Sequence, residues 1–130
     1  MKKYSIEKST EDWKNQLEPE QYRVLRKKGT EAPHTGKYNL HFDDGSYNCA
    51  GCGTKLFESE SKFKSNCGWP SFDNAIEGSI EYVQDNSFGM QRIEVLCANC
   101  GGHLGHVFDD GPTESGTRYC INSASLNFDK

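Results

Sequence analysis

The sequence predicts an α+β, mainly β domain in which two N-terminal helices pack on antiparallel sheet. Helical spacing of apolar residues is confined to about residues 9–28. From Thr30 onward, short apolar runs alternate with Gly, Asn, Asp and Ser, which is typical of short strands joined by turns. A chain of 130 residues is expected to form one domain, 1–130, with its β core at about 38–130.

The two helices are predicted from their start and stop signals. Ser9 is a hydroxyl N-cap with an acidic residue three positions later. Trp13 and Leu17 lie four residues apart and therefore share one face of the first helix. The second helix begins near Pro19, which is tolerated in a first turn, and is predicted to stop at Gly29.

Seven short segments have strand composition and are separated by turn signals such as 43–45 and 109–112. The predicted strands are Ser46–Cys49, Lys55–Phe57, Ile80–Gln84, Gln91–Leu96, His106–Phe108, Arg118–Ile121 and Ser125–Phe128.

Composition narrows the class of protein. The formal net charge of −4 and the pI near 5.5 argue against a phosphate-binding surface, and so against nucleic acid as the main partner. No apolar run approaches the ~18–20 residues that span a bilayer, and residues 4–8 do not resemble a signal-peptide core. We therefore expect a cytoplasmic protein with reduced thiols. The mean hydropathy of −0.83 indicates a thin core that a covalent or metal link would support.

Four of the six cysteines form two CxxC pairs, Cys49 with Cys52 and Cys97 with Cys100, and each pair is followed by glycine. The two-residue gap lets both sulfurs reach one ion, and glycine supplies the backbone angles of the turn. The pattern predicts a structural zinc ion with four thiolate ligands and a full coordination shell. Iron in the same shell, a redox-active CxxC pair and two disulfides are the alternatives, although neither a βαβ pattern nor an export signal supports the last two.

The remaining cysteines are Cys67 and Cys120. Cys120 follows Arg118 by two residues, and a fixed positive charge favours the thiolate, which is the nucleophilic form. Cys67 precedes Trp69 in a glycine- and proline-bounded loop, where a thiol has the mobility that a reactive pair needs. The alternatives are a buried structural role for Cys120 and a core position for Trp69.

Two of the four histidines, His103 and His106, directly follow the second CxxC pair. If the metal fixes that backbone, both imidazoles are held near one place. We predict a role for them as acid, base or hydrogen-bond donor. A purely structural role and zinc ligation are the alternatives.

Longer strings carry a resemblance to a known family: Cys-Gly-Trp-Pro-Ser-Phe at 67–72, Gly-Gly-His-Leu-Gly-His-Val-Phe at 101–108 and Arg-Tyr-Cys-Ile-Asn-Ser-Ala-Ser-Leu at 118–126. With both CxxC pairs and Thr-Glu-Ala-Pro at 30–33, the chain resembles methionine sulfoxide reductase B over nearly its whole length. The resemblance implies twisted antiparallel sheets and thiol-dependent reduction of methionine-(R)-sulfoxide in oxidised proteins, since one enzyme class serves each sulfoxide epimer.

The resemblance also implies a role for each matched residue. Cys120 matches the nucleophile, Cys67 matches the resolving cysteine, and the CxxC cysteines match the ligands of one zinc ion per chain. His34 departs from the family, which usually has an aromatic or other apolar residue there. The substrate pocket is matched by Trp69, His103, His106 and Asn122.

The implied reaction begins when Cys120, held as thiolate by Arg118, attacks the sulfoxide sulfur while Trp69 contacts the methyl group. A histidine, or a water that it positions, protonates the oxygen. Cys120 becomes a sulfenic acid, and Cys67 condenses with it to a disulfide that thioredoxin reduces. We expect a monomer that binds neither nucleic acid nor membrane.

Two other classes of function remain at this stage. A zinc ribbon that binds a protein partner would need the CxxC pairs but neither Cys67 nor Cys120. A hydrolytic zinc enzyme would need an open coordination position, and four cysteine ligands leave none.

Overall fold

Two antiparallel sheets and two helices make up the part of the chain that the computed structural model describes, which is residues 4, 6–65, 67–86, 89 and 91–130. The elements are α1 (Thr10–Gln16), α2 (Pro19–Lys27), β1 (Ser46–Cys49), β2 (Lys55–Glu58), β3 (Lys62–Phe63), β4 (Ser71–Phe72), β5 (Ile80–Asp85), β6 (Arg92–Cys97), β7 (His103–Phe108), β8 (Arg118–Ile121) and β9 (Leu126–Asp129). The smaller sheet has the order β2-β1-β9, and the larger has the order β3-β4-β8-β7-β6-β5. The predicted fold class is confirmed.

The strand prediction was incomplete at three places. The two-residue strands β3 and β4 were missed because they are too short to show any alternation of side chains. Strand β7 begins at His103 rather than at His106. Ser125 belongs to a 3-10 turn before β9, not to the strand itself.

The helix signals act largely as predicted. The backbone N–H of Asp12 donates to Ser9 Oγ at 3.1 Å, which caps α1. The residue that ends α2 in the left-handed conformation is Lys28, with φ of 58°, so the prediction of Gly29 was wrong by one position. Gly29 is needed for a different reason, because a Cβ there would lie 2.9 Å from the carbonyl oxygen of Arg23.

The core lies between the two sheets and under the helices. Phe57 of β2 and Phe72 of β4 stack with ring centroids 4.2 Å apart, which joins one sheet to the other. Tyr47 of β1 packs edge-on against Phe72 at 5.2 Å. Trp13 of α1 is also buried in this cluster. Neither helix has the length and apolar character needed to cross a membrane, among the residues described above.

An irregularity in β7 controls which of its side chains share a face. Leu96 pairs with His103 and the adjacent Val95 pairs with Gly105, so Leu104 is an extra residue between them. Such a bulge reverses the alternation of side chains. His103 and His106, although three residues apart, therefore lie on the same face of the larger sheet.

Gly105 is the point where β7 comes closest to β8. A Cβ built there would lie 2.0 Å from the carbonyl oxygen of Cys120, which is a backbone atom that cannot rotate away. We expect Gly105→Ala to lower the free energy of unfolding by about 2–3 kcal/mol or more, since overpacking forces the strands apart. Gly78→Ala is the matched control. Its φ of 82° is strained for alanine, but a Cβ there meets nothing within 4 Å, so it should cost only about 1 kcal/mol. Equal losses in a urea titration of both variants would contradict the clash at Gly105.

Candidate active site

The two CxxC pairs form matching turns that bring four sulfurs together. In the first, Gly53 N–H donates to the carbonyl of Cys49 at 2.8 Å, and in the second Gly101 N–H donates to the carbonyl of Cys97 at 2.8 Å. Both glycines have positive φ, 83° and 78°, as the sequence predicted for these turns. The sulfurs of Cys49, Cys52, Cys97 and Cys100 all lie within 4.8 Å of one another.

These distances fit a tetrahedral metal ion. The Cys49 and Cys100 sulfurs are 3.7 Å apart and the Cys52 and Cys97 sulfurs 3.6 Å apart. A tetrahedron with metal–sulfur bonds of ~2.3 Å has edges of ~3.8 Å, so the donor set suits zinc. The side-chain amide of Asn99 also reaches the Cys52 sulfur at 3.5 Å, and such outer hydrogen bonds are usual around bound thiolates.

The N-terminal helices pack directly on this cluster. Gln16 Nε2 donates to the carbonyl of Gly51 at 2.6 Å, and Arg26 Nη1 donates to the carbonyl of Cys100 at 3.0 Å. The Trp13 ring lies 3.3 Å from the position that a Cβ of Gly51 would occupy. The cluster thus holds together two hairpins and both helices.

Cys67 and Cys120 are brought together by the pairing of β4 with β8. Cys120 faces Ser71 across this pair, and Cys67 lies in the loop that leads into β4. The two sulfurs are 3.6 Å apart. The Cys67 sulfur also contacts Ser71 Oγ at 3.3 Å and the carbonyl of Trp69 at 3.4 Å. Little movement would be needed to join the two cysteines.

The two thiols influence each other's ionisation strongly. The hydrogen bond from Cys120 lowers the pKa of Cys67 to about 4, with help from Ser65 and Ser71 and against the effect of burial. The same contact, followed by burial, raises the pKa of Cys120 well above its ordinary value, although Arg118 acts to lower it. In this arrangement Cys67 is therefore the more acidic thiol of the pair and Cys120 the less acidic one.

The environment of Arg118 differs from the sequence-based expectation. Its Nε and Nη2 donate to the two oxygens of Asp110, at 2.9 and 3.2 Å, in a two-pronged pair. Arg118 does lower the pKa of Cys120, as expected, but burial and Cys67 outweigh it. An arginine alone does not hold Cys120 as thiolate while Cys67 is in contact.

Each predicted histidine has a carboxylate partner that sequence reasoning missed. His103 Nδ1 lies 2.6 Å from Glu94 Oε2, and both side chains are buried. His106 Nε2 lies 2.8 Å from Asp85 Oδ2. The two imidazole centroids are 5.8 Å apart, edge to face. The bulge in β7 thus brings both rings together, each oriented by its own carboxylate.

The pKa of His106 lies below its ordinary value of 6.5. Burial is the largest cause, and the charges of Arg92 and His103 act in the same direction, while the hydrogen bond with Asp85 raises it. Burial raises the pKa of Glu94, but the hydrogen bond and charge of His103, with those of Lys28, lower it overall. Glu94 is thus a carboxylate and His106 a weakly basic imidazole.

Trp69 and Asn122 are held in place by Glu31, which sequence reasoning did not single out. Trp69 Nε1 donates to the carbonyl of Glu31 at 3.0 Å, and the backbone N–H of Glu31 donates to Asn122 Oδ1 at 3.0 Å. Asn122 Nδ2 donates to the carbonyl of Leu104 at 3.0 Å. The Glu31 carboxylate accepts from the backbone of Ala124 at 2.9 Å. Both the oxygen and the nitrogen of the Asn122 amide therefore already form a hydrogen bond within the protein.

A cavity of about 100 Å³ lies over these residues. Three of the predicted pocket residues and the nucleophile candidate line it, whereas His103, Cys67 and His34 are not among the lining residues. Arg92 lies outside every quoted motif, whereas Thr30 and Phe108 lie within quoted motifs but had been given no role. The lining consists of Thr30, Trp69, Arg92, Gly105, His106, Phe108, Cys120 and Asn122.

The comparisons of this chain with known proteins agree on one family. The SelR domain matches residues 17–130 of this chain. The chain is 56% identical over 128 residues, 98% of both chains, to a protein of Leptospira interrogans named peptide methionine sulfoxide reductase MsrB. Proteins of the same name are 56% identical in Variovorax paradoxus, over 96% of each chain, and 55% identical in Methanosarcina mazei, over 100% of this chain and 94% of that one.

Among solved structures, the Mis18 'Yippee-like' domain is similar in fold. It superposes with a TM-score of 0.53 and covers 68% of this chain and 97% of its own. At 16% sequence identity, the likeness concerns the fold alone.

The geometry of the four-sulfur cluster predicts the result of removing one ligand. We expect Cys97→Ser to lose most of the bound metal and to lower the melting temperature, because binding at such sites contributes on the order of 10 kcal/mol to folding. Metal content by elemental analysis and melting by circular dichroism measure the two effects. Cys67→Ser is the matched control, since it removes a thiol outside the cluster and should keep one ion per chain. Full metal content in the Cys97→Ser protein would remove Cys97 from the ligand set.

Proposed function

Because the chain belongs to the SelR-domain family of peptide methionine sulfoxide reductases, we propose that it is an oxidoreductase that reduces methionine-(R)-sulfoxide in proteins to methionine. The observation that carries this proposal is the 3.6 Å contact between the Cys67 and Cys120 sulfurs, because Cys120 lines a cavity together with Trp69 and His106. A thiol pair, an aromatic wall and an imidazole acid are the groups that this reduction requires.

The reaction starts with a proton transfer within the thiol pair. The Cys120 and Cys67 sulfurs are in contact and Cys67 is the more acidic thiol, so a proton on Cys120 can pass to a Cys67 thiolate and leave the negative charge on Cys120. Arg118 favours the charge on Cys120 once it arrives there. Cys67 thus serves first as a base and later as the resolving thiol.

The Cys120 thiolate then attacks the sulfur of the bound sulfoxide, whose methyl group lies against Trp69. The sulfur–oxygen bond cannot break without a proton on oxygen, and His106 or a water that it positions supplies it, with His103 beside it. The balance is one thiol and one sulfoxide giving one sulfenic acid and one thioether. Cys120 is oxidised and the methionine sulfur is reduced.

Resolution follows without a large rearrangement. The Cys67 thiol condenses with the Cys120 sulfenic acid, which forms the disulfide and releases water. A disulfide has a sulfur–sulfur bond of ~2.05 Å, so the sulfurs must approach by only about 1.6 Å from their 3.6 Å contact. A dithiol protein such as thioredoxin reopens the bond by exchange.

The metal has a structural role in this proposal. A zinc ion held by Cys49, Cys52, Cys97 and Cys100 would have four thiolate ligands and no open position, so it would supply folding stability and take no part in the reaction. A reducing compartment such as the cytoplasm suits an enzyme whose cycle requires free thiols. We expect it to act there as a monomer in the repair of oxidised proteins.

The first test separates the two cysteines. We expect Cys120→Ser to form no methionine, because the nucleophile is missing. Cys67→Ser should form about one equivalent per chain, since removing Cys67 also removes the contact that raises the pKa of Cys120. It should then stop with thioredoxin as reductant, because no resolving thiol is left to form the disulfide. The measurements are methionine yield and free thiols before and after sulfoxide is added, with the wild type losing two thiols. Methionine formation by Cys120→Ser, or sustained turnover with thioredoxin by Cys67→Ser, would contradict the assigned roles.

A second test concerns the proton donor. His106→Ala and His103→Ala should slow a single turnover, by about 10²–10⁴ where the general acid is lost. If protonated His106 is the donor, the wild-type rate falls as pH rises through its pKa, which lies below 6.5. Asp85→Asn should move this fall to lower pH, because the hydrogen bond with Asp85 raises the pKa.

His34→Asn is the control for this second test, since His34 is exposed and asparagine tolerates its φ of 68°. Its single-turnover rate should match that of the wild type. Unchanged rates in both alanine variants would exclude the histidines from the chemistry, and an Asp85→Asn profile identical to wild type would exclude the His106 assignment.

A further inference from the structure

The four cysteines of the metal cluster are not equally covered by the rest of the chain. Cys49 and Cys97 have 0% of their surface exposed and Cys100 has 2%, whereas Cys52 is half-buried. All four would be thiolates around a bound metal, because a coordinating thiol loses its proton. They would therefore share the same chemistry, and Cys52 is the one that is partly open to solvent.

The N-terminal helices account for much of this difference. A Cβ built on Gly51 would lie 3.3 Å from the Trp13 ring and 3.6 Å from the Cys49 sulfur. At the second CxxC pair, a Cβ built on Gly102 would lie 2.8 Å from the Leu25 side chain. Helices α1 and α2 thus cover the cluster from one side.

The turn that carries Cys52 is open by comparison. Gly53, the residue that follows Cys52, is exposed, and a Cβ built there meets nothing within 4 Å. The corresponding glycine of the second turn, Gly101, is half-buried, and a Cβ there would lie 2.5 Å from the Tyr4 ring. A small molecule from the solvent therefore has its easiest approach to the cluster past Gly53.

Two polar side chains are hydrogen-bonded to the Cys52 sulfur. Asn99 Nδ2 donates to Thr54 Oγ1 at 2.9 Å and reaches the Cys52 sulfur at 3.5 Å, and Thr54 Oγ1 lies 3.1 Å from the same sulfur. A metal-bound thiolate has no proton and can only accept, so the Thr54 hydroxyl donates to Cys52. The amide nitrogen has two hydrogens and can serve both acceptors.

These contacts lie on the cysteine that is most at risk of oxidation. Susceptibility of a cysteine to oxidants follows its thiolate character and its exposure, and Cys52 would combine both. A hydrogen bond to a charged acceptor stabilises the charge where it is. The Thr54 and Asn99 donors therefore lower the tendency of the Cys52 sulfur to give up an electron pair to an electrophile.

We propose that Cys52 is a site of oxidative modification at which hydrogen peroxide opens the metal cluster, and that Thr54 and Asn99 slow this modification through their hydrogen bonds. The Cys52 thiolate attacks one peroxide oxygen, the oxygen–oxygen bond breaks, hydroxide leaves, and Cys52 becomes a sulfenic acid. The Cys97 thiolate, whose sulfur lies 3.6 Å away, then attacks the Cys52 sulfur, forms a disulfide and releases a second hydroxide. Two sulfurs are oxidised, both peroxide oxygens are reduced, and two ligands are lost to the metal.

This inference concerns the metal cluster and does not depend on the reaction at Cys120. The experiment uses the full chain loaded with one zinc ion and treated with excess hydrogen peroxide. Released zinc is followed with a coloured chelator, and the same samples without peroxide give the spontaneous release. The Cys67–Cys120 pair also consumes peroxide, but it lies outside the cluster, so zinc release reports on the cluster alone.

The variants separate the hydrogen bonds from the fold. Thr54→Val and Asn99→Ala each remove a donor, whereas Thr54→Ser keeps the hydroxyl. Thr113→Val is the matched control, since Thr113 is exposed and its hydroxyl contacts Ser115 outside the cluster. A parallel treatment with N-ethylmaleimide, stopped at low conversion, identifies by tandem mass spectrometry which cluster cysteine is modified first.

We expect Thr54→Val and Asn99→Ala to release zinc about 3- to 10-fold faster than the wild type in peroxide, because part of a hydrogen bond to a charged acceptor is lost. Thr54→Ser and Thr113→Val should release it at the wild-type rate. Spontaneous release should be unchanged in all four variants. The first maleimide adduct within the cluster should be on Cys52.

Other results would overturn the inference. A first adduct on Cys49, Cys97 or Cys100 would move the point of attack away from Cys52. Equal peroxide-dependent rates in the wild type and Thr54→Val would show that the hydroxyl gives no protection. Faster release from Thr54→Val with and without peroxide alike would mean that Thr54 retains the metal instead of shielding the sulfur.

Discussion

The four-sulfur cluster is the constraint on which the rest of the molecule depends. It joins the β1–β2 hairpin of the small sheet to the β6–β7 hairpin of the large one, and the two helices pack over it through Gln16 and Arg26. Only 34% of the residues are hydrophobic, so apolar burial has less to contribute here than in an average domain. A bound ion would link segments 48 positions apart in the sequence, and much of the cost of ordering them would be offset by metal–thiolate bonds.

The same cluster fixes the start of the reactive strand. Cys97 and Cys100 form the turn between β6 and β7, so the direction in which β7 leaves is set within three residues of the metal site. The bulge that follows turns His103 and His106 to one face, and Gly105 lets that strand approach Cys120 closely. A metal ion bound by this cluster would therefore affect the reactive residues through the geometry of the backbone.

The sequence predicted the features that depend on residues close together in the chain, and it missed those that depend on contacts between distant residues. The CxxC turns, the Ser9 cap and the long strands are encoded within a few residues, and the sequence located all of them except the first half of β7. The partners Asp85 and Glu94 were missed, because a carboxylate meets its histidine only through the register of three strands. Glu31 was missed for the same reason, because its contacts with Trp69 and Asn122 lie 38 or more positions away in the sequence.

Residues close in sequence do not determine which of the two thiols has the lower pKa. Arg118 is two residues from Cys120, and on that basis alone Cys120 should be the thiolate. Cys67 is 53 positions away, yet its contact at 3.6 Å has the larger effect on the pKa of Cys120. A negative charge shared by two thiols would also give the proposed reaction an order. In that proposal Cys67 takes the proton of Cys120 before the attack, and a protonated Cys67 would not compete for the sulfoxide. Because two thiols in contact do not readily ionise together, only one of them would act as a nucleophile at a time in the proposed reaction.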